Sequence, residues 1–217
     1  MRIPNYFRLF QKVRTFNTAA GELTLTPKNI GKLVLPIGKL VACDPICRPE
    51  SEAFTPKLKP GRYPVILCFA DSPAYGGSKI ACAMLRLKNI PPVRWELATS
   101  PHQDIRTLKK GQYFGYPVDS GMGCFMDAGA ADVLIDGIEL GNFQEDFADR
   151  VIDAMSESEW GNFLIDDLNG ANVIAFSSGL GDGIYVTYFG YGAAGEIVCA
   201  VTDFNLFDAD EAEALFD

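Results

Sequence analysis

The sequence predicts an α+β fold dominated by antiparallel β-structure, either sandwich-like or built from strongly curved sheets, with two or three covering helices. Many short segments alternate apolar and polar residues and are bounded by glycine or proline. Only a few stretches carry the apolar spacing of a helix. Neither a repeat nor a low-complexity linker divides the chain. We therefore expect one domain over residues 1–217, with residues 1–21 as an N-terminal extension and residues 205–217 as an acidic C-terminal helix or tail.

The predicted strands begin close to residue 22 and continue almost to the end of the chain. They comprise residues 22–26, 32–44, 61–70, 79–87, 92–99, 171–178, 183–190 and 195–204. The segment 32–44 is interpreted as two strands joined by a turn at Pro36-Ile37-Gly38. The last three segments are expected to form a meander, because glycine-containing turns separate them.

Helices are predicted at two or three places. Residues 144–160 form an amphipathic pattern with charged residues opposite an apolar stripe. That stripe consists of Phe147, Val151, Met155 and, on the adjoining side, Ile152. A shorter helix is expected to begin after Asp127, through the sequence AGAADVLI. In the acidic tail, Asp208 and Glu211 have the spacing of a capping box.

The net charge indicates which partners the protein binds. With a formal charge of −9 and a pI near 4.7, the surface repels phosphate backbones, so nucleic-acid binding is not expected. The same charge favours encounter with a basic protein. No stretch approaches the roughly eighteen apolar residues of a membrane helix, and the N-terminus lacks the apolar core of a secretory signal. We expect a soluble cytoplasmic protein that does not bind membranes.

The cysteines and the single histidine give little indication of catalysis. Three of the six cysteines, Cys68, Cys82 and Cys199, lie inside apolar strand-like runs, which favours reduced thiols packed in a core. The pair in CDPIC, residues 43–47, has no second thiol or histidine cluster to complete a zinc site. His102 lies in a loop-like stretch and is expected at the surface, and no nucleophile elbow supports a catalytic role for it.

Two loops rich in glycine and aspartate are candidate sites. Asp119 and Asp127 in YPVDSGMGCFMDAGAADVL are either a turn residue and a helix cap, or a carboxylate pair that binds metal or transfers protons. The second loop contains Asp182 among three glycines, Gly179, Gly181 and Gly183. It is either a tight hairpin or bulge, or a backbone nest for an anion, with Asp182 directed at a cation or a substrate hydroxyl.

Six segments of the chain, quoted in order, are similar to those of one family. They are LVLPIGKLVACDP, GRYPVIL, VRWELA, YPVDSGMGCFMDA, SGLGDGIYVTYFGYGAAGEI and VTDF. Together they resemble an uncharacterised, largely bacterial family, the domain-of-unknown-function family numbered 4241, over residues 33–204. The resemblance implies one unit but no established activity.

The resemblance also implies a set of polar motif positions, each at a strand end or turn. They are Asp44, Asp119, Asp127, Asp182 and Asp203. If these aspartates converge, they line a carboxylate cleft in which like charges raise one another's pKa values or require a divalent cation. If they do not converge, they are five separate turn and cap residues.

Two classes of function follow from these observations. The first is a protein-binding module, such as an immunity-type protein that neutralises a basic partner, as the net charge of −9 suggests. The alternative is a metal-assisted hydrolase or a small-ligand-binding protein that uses the aspartates, with Asp119, Asp127 and Asp182 holding a divalent cation. A scaffold without a small ligand is a third option.

Overall fold

A computed structural model describes residues 3–18, 21–139, 144–207 and 215. Two antiparallel sheets and two α-helices confirm the predicted α+β class. The strands are β1 (Arg14–Thr18), β2 (Gly21–Leu35), β3 (Leu40–Cys43), β4 (Gly61–Ser72), β5 (Gly77–Arg86), β6 (Arg94–Leu97), β7 (Tyr116–Val118), β8 (Met122–Asp127), β9 (Trp160–Asp166), β10 (Ala171–Ser177), β11 (Gly183–Tyr191) and β12 (Ile197–Asp203). The helices are α1 (Ala128–Glu139) and α2 (Gln144–Ser158), and short 3-10 helices cover Tyr6–Phe10, Pro73–Tyr75 and Ile105–Thr107.

The two sheets have different strand orders. In the larger, eight-stranded sheet the order is β1-β2-β4-β5-β12-β11-β6, and β7 pairs separately with β11. The smaller sheet has the order β3-β8-β10-β9. The predicted meander of the last three strands is therefore wrong, because β10 pairs with β8 and β9 while β11 and β12 pair in the larger sheet. Gly179 and Gly181, with φ angles of 62° and 109°, occur in the loop that carries the chain from one sheet to the other.

Three apolar layers stabilise this sandwich. The inner layer lies between the sheets and includes Phe125, Phe176 and Phe189, which are almost fully buried. A second layer covers the other face of the larger sheet and includes the 3-10 helix Tyr6–Phe10. The third layer lies between the smaller sheet and the two helices. The smaller sheet is thus covered on both faces.

The two helices confirm most of the sequence interpretation, but one residue of the predicted apolar stripe is not buried. Phe147 and Val151 are buried against the smaller sheet, as the stripe predicted, but the side chain of Ile152 is 52% exposed. A surface helix buries only the arc that faces the sheet, and Ile152 lies about 100° around the helix from Val151. The predicted tail helix over 208–217 lies outside the described residues, apart from Leu215, which is buried.

The N-terminal segment takes part in the larger sheet. Arg14–Thr18, which the sequence analysis placed in an N-terminal extension, pairs with β2 at the edge of the larger sheet. The division of the chain into one domain with an extension and a tail stays a prediction. None of the helices that the structure describes is both long and apolar enough to cross a membrane.

Candidate functional site

Asp44 follows the last residue of β3 and holds two segments of the chain together. Its carboxylate is fully buried and accepts four backbone N–H groups. Oδ1 binds the amides of Ile46 and Cys47, both at 2.9 Å, and Oδ2 binds those of Asp119 and Ser120 at 2.9 and 2.8 Å. Burial alone would raise the pKa of Asp44, but the N–H donors outweigh burial and lower it. Asp44 is therefore an ionised anchor for the Asp119 loop.

Asp127, the last residue of β8, has the same role at the other end of β3. Its Oδ2 accepts the amides of Gly38 at 2.9 Å and Lys39 at 3.3 Å, and its Oδ1 accepts that of Ile37 at 3.4 Å. Oδ1 also accepts the amide of Gly129 at 3.1 Å, which caps α1 as the sequence suggested. One buried carboxylate thus fixes both the β2–β3 turn and the start of a helix.

These two aspartates anchor β3 at opposite ends. β3 has four residues and lies at the edge of the smaller sheet, paired only with β8 among the described strands. Leu40 at its start pairs with Asp127, while Cys43 at its end pairs with Cys124. Asp44 lies four residues after Leu40, so at about 3.4 Å per residue the backbones of the two aspartates are roughly 14 Å apart along the strand. They do not share a pocket.

Asp119 and Asp182 lie at the same corner of the molecule as Asp44. The Asp119 side chain is 54% exposed and pairs with Arg48 at 3.2 Å. The amide of Ser178 donates to the carbonyl of Gly121 at 3.0 Å, so the Asp119 loop touches the loop that contains Asp182. Burial, Asp44 and Asp119 raise the pKa of Cys47, and Asp182 adds a smaller effect in the same direction. The structure therefore brings three of the five aspartates to one corner.

Asp203 lies elsewhere, at the end of β12 beneath the N-terminal 3-10 helix. It accepts the hydroxyl of Tyr6 at 2.6 Å and the amide of Asn205 at 2.9 Å. Burial raises its pKa, although both donors act to lower it. The Tyr6 ring stacks on Tyr188 with centroids 5.3 Å apart.

The loop between β10 and β11 is closed by hydrogen bonds from Ser178 and from Tyr185 of β11. The Tyr185 hydroxyl donates to the carbonyls of Ser178 and Gly181 at 3.0 and 2.5 Å, and the Ser178 hydroxyl also binds Gly181. The amide of Gly181 donates to the carbonyl of Ser178 at 3.1 Å. Gly183 pairs with Val118 at the start of β11. The amide of Gly181, one of the proposed anion donors, is thus engaged within the loop itself.

A cavity lies between the sheets at the side of β3, β7 and β11. It has a volume of about 190 Å³, and Glu52, Phe54, Ser100 and Tyr116 contribute to its lining, which includes none of the five aspartates. The predicted surface residue His102 is 84% exposed and lies 3.3 Å from Glu52. Within the described part of the chain, no group of three or more His, Cys, Asp or Glu side chains is placed to hold a metal ion.

Charge is distributed very unevenly along the chain, which the net value alone does not show. Residues 1–126 contain 18 Lys and Arg residues against 8 Asp and Glu, a formal charge of +10. Residues 127–217 contain 20 Asp and Glu residues against the single Arg150, a formal charge of −19. This asymmetry is a signal of the sequence itself, and it becomes visible when charge is counted separately for the two halves.

Part of this negative charge lies on one surface of the helices, here called the acidic face. The acidic face consists of exposed carboxylates on the solvent side of α1 and α2: Asp132, Asp136, Asp146, Asp149, Asp153 and Glu157. The four on α2 fall within an arc of about 80° at roughly 100° per residue, so they form a stripe. Among the described residues, none of the six forms an ion pair.

A family model described as "Protein of unknown function (DUF4241)" matches residues 33–202. The chain belongs to this family. The matched region contains both helices and most of the strands, so the DUF4241 unit includes the acidic face as well as the two aspartates that anchor β3. Comparisons with curated proteins and with solved structures found no match for the chain.

Proposed function

We propose that this DUF4241 protein is a binding module that uses its acidic face to hold and neutralise a basic protein partner, as an immunity-type protein does. The observation that carries the proposal is the acidic face itself, whose six carboxylates are exposed and have no ion-pair partner among the described residues. A dense negative surface attracts a cationic protein over a Debye length and orients it before contact. Apolar residues of both helices, such as Leu134 and Val151, are buried and hold the face in a fixed position.

The rest of the surface supports the choice of this face. Four of the five ion pairs between described residues involve acids in the basic half of the chain, and the fifth joins Lys88 to Glu196. Acids outside the helices are thus partly neutralised by nearby cations, whereas the six described carboxylates of the acidic face are not. Because neutralised pairs attract a partner weakly, the clustered, unpaired carboxylates of the acidic face attract a cation more strongly than the paired acids do.

The proposal places the protein in the cytoplasm. All six cysteines are free, which is the usual state of thiols in a reducing compartment. The alternative of a metal-assisted hydrolase or small-ligand-binding protein stays a prediction that thermal melting with and without Mg²⁺, Mn²⁺ or Ca²⁺ would test.

The test compares two variants that change the net charge by the same amount. One replaces Asp146, Asp149 and Asp153 on α2 with asparagine. The matched control replaces the exposed acids Glu22, Glu50 and Asp71, which lie outside the helices, with glutamine or asparagine. Wild type and both variants are immobilised and used to capture proteins from a lysate at about 0.15 M salt.

The expected result is that wild type and the control variant retain the same basic proteins, whereas the α2 variant loses them about tenfold. Equal retention by all three proteins would overturn the proposal, as would equal loss by the two variants or retention of acidic proteins alone. The equal charge change separates a specific face from general electrostatic attraction.

A further inference from the structure

We propose that Cys43 on β3 and Cys124 on β8 are a disulfide-forming pair that covalently joins these two strands under oxidising conditions. The proposal assigns a modification site and does not depend on the proposed function. It starts from two sulfur atoms, both fully buried, that lie 3.6 Å apart.

The backbone geometry of the pair suits a disulfide. Cys43 and Cys124 are direct partners in the antiparallel register of β3 and β8. Direct antiparallel partners have Cα atoms about 4.5–5.5 Å apart, within the range of about 4.4–6.8 Å that a disulfide spans. The sulfur atoms must approach from 3.6 Å to about 2.05 Å, which side-chain rotation can supply.

A second cysteine pair in the same chain provides an internal contrast. Cys68 and Cys82 are also direct partners, on β4 and β5 of the larger sheet. A register irregularity falls between Cys68 and Phe69, and the Cys82 thiol donates to Oδ1 of Asp203 at 4.0 Å. A bulge alters the direction of nearby side chains, so equal register does not bring equal sulfur contact. We therefore expect oxidation to select the first pair.

Access to the buried pair comes from the position of β3. It is a four-residue edge strand, and its opening exposes Cys43 and Cys124 without disrupting the larger sheet. In the closed state, the hydrogen bond to Cys124 and burial raise the pKa of Cys43, which keeps the thiol protonated and slow to react. Oxidation is thus controlled by strand opening.

The chemistry with a peroxide as oxidant balances in two steps. A thiolate of the open strand attacks one peroxide oxygen, so an S–O bond forms, the O–O bond breaks and one water leaves after protonation. The second thiol then attacks the sulfenic sulfur, so the S–S bond forms, the S–O bond breaks and a second water leaves with the thiol proton. Two thiols are oxidised by two electrons, and one peroxide is reduced to two waters.

The disulfide would make the attachment of β3 independent of the two anchoring aspartates. β3 lies between the Asp127-bound turn and Asp44, which holds the Asp119 loop. A covalent bond between β3 and β8 closes a long loop of chain, and cross-links of this kind stabilise a fold by restricting its unfolded state. The melting temperature is expected to rise by about 5 °C on oxidation.

The test treats the full-length protein with hydrogen peroxide, quenches the remaining thiols and maps peptides without reduction. One disulfide between Cys43 and Cys124 is expected, with free thiols falling from six to four. The Cys43→Ala variant should lose the cross-link and the gain in melting temperature, while Cys68→Ala should keep both. Circular dichroism of each variant before oxidation checks that it folds.

Three outcomes would overturn the proposal. One is a cross-link between Cys68 and Cys82 in place of the expected pair. Another is oxidation of the exposed Cys47 alone, with the thiols of Cys43 and Cys124 intact. The third is a cross-link that persists in the Cys43→Ala variant.

Discussion

At the scale of single residues, a buried carboxylate binds separate stretches of backbone that no apolar side chain could join. Its two oxygens offer about four acceptor positions, so one aspartate can satisfy four amide donors. Asp44 uses all four to hold its own turn and the Asp119 loop. Asp127 does the same for the β2–β3 turn and the first turn of α1. Both residues are therefore explained by the backbone groups that they satisfy.

The first prediction concerns Asp44→Asn, which keeps the shape and removes the charge. An amide has one acceptor oxygen, so two backbone donors lose their partner, and the free energy of unfolding at pH 7 should fall by about 2–3 kcal/mol. The lowered pKa of Asp44 means that its contribution is complete above the unfolded value of about 3.9 and is lost as pH falls through the folded value. Denaturant unfolding at a series of pH values measures both effects.

The control for this prediction is Asp119→Asn. That side chain is 54% exposed and only pairs with Arg48, so the change should be within about 0.5 kcal/mol. The difference between wild type and Asp44→Asn should shrink below about pH 4. A difference that stays constant down to about pH 2, or an equal loss in Asp119→Asn, would contradict the anchoring role.

At the scale of elements, α2 shows how a helix divides its faces between the fold and the solvent. Phe147 and Val151 are buried on the smaller sheet, and Phe147 makes an edge contact with Phe163 at 5.7 Å between ring centroids. Ile152, although apolar, lies on the solvent side. The carboxylates of the acidic face are therefore held by a narrow apolar stripe.

The second prediction compares two neighbouring residues of α2. Val151→Ala should lower the free energy of unfolding by about 2 kcal/mol, because it removes buried methyl groups and leaves a cavity. Ile152→Ala should change it by less than about 0.5 kcal/mol, since the side chain is mostly in solvent. Urea denaturation of both variants checks this. An equal loss in the two variants would show that the helix packs in a different orientation.

The sequence predicted where the strands and helices lie better than it predicted which strands pair with each other. Alternation and glycine turns located most strands, and the spacing of Phe147 and Val151 located α2. The same signals could not assign β10 to the smaller sheet, because it is buried on both faces, as are β5 and β12 of the larger sheet, so its continuous apolar run fits either sheet. They could not link Asp44 to the amide of Asp119 either, since a contact across 75 positions depends on the tertiary fold. Local pattern carries no information about such contacts.

At the scale of the whole molecule, the two halves of the sequence build different surfaces. The basic half, with 18 Lys and Arg residues, supplies six of the eight strands of the larger sheet. The acidic half supplies both helices and carries a single basic residue. Because the helices cover the smaller sheet, this arrangement puts the strongest negative charge on one side of the sandwich. This separation of charge between the two halves follows from the order of elements along the chain.

The role of the acidic face in binding a cationic partner is tested most directly by a nuclear magnetic resonance titration of the labelled protein with an octalysine peptide. Octaglutamate is the control. Shift changes are expected to concentrate in Ala128–Glu139 and Gln144–Ser158 and to weaken as salt rises above about 0.1 M. Changes spread evenly over the exposed acids, or centred on the Asp44 corner while the helices stay unchanged, would contradict it.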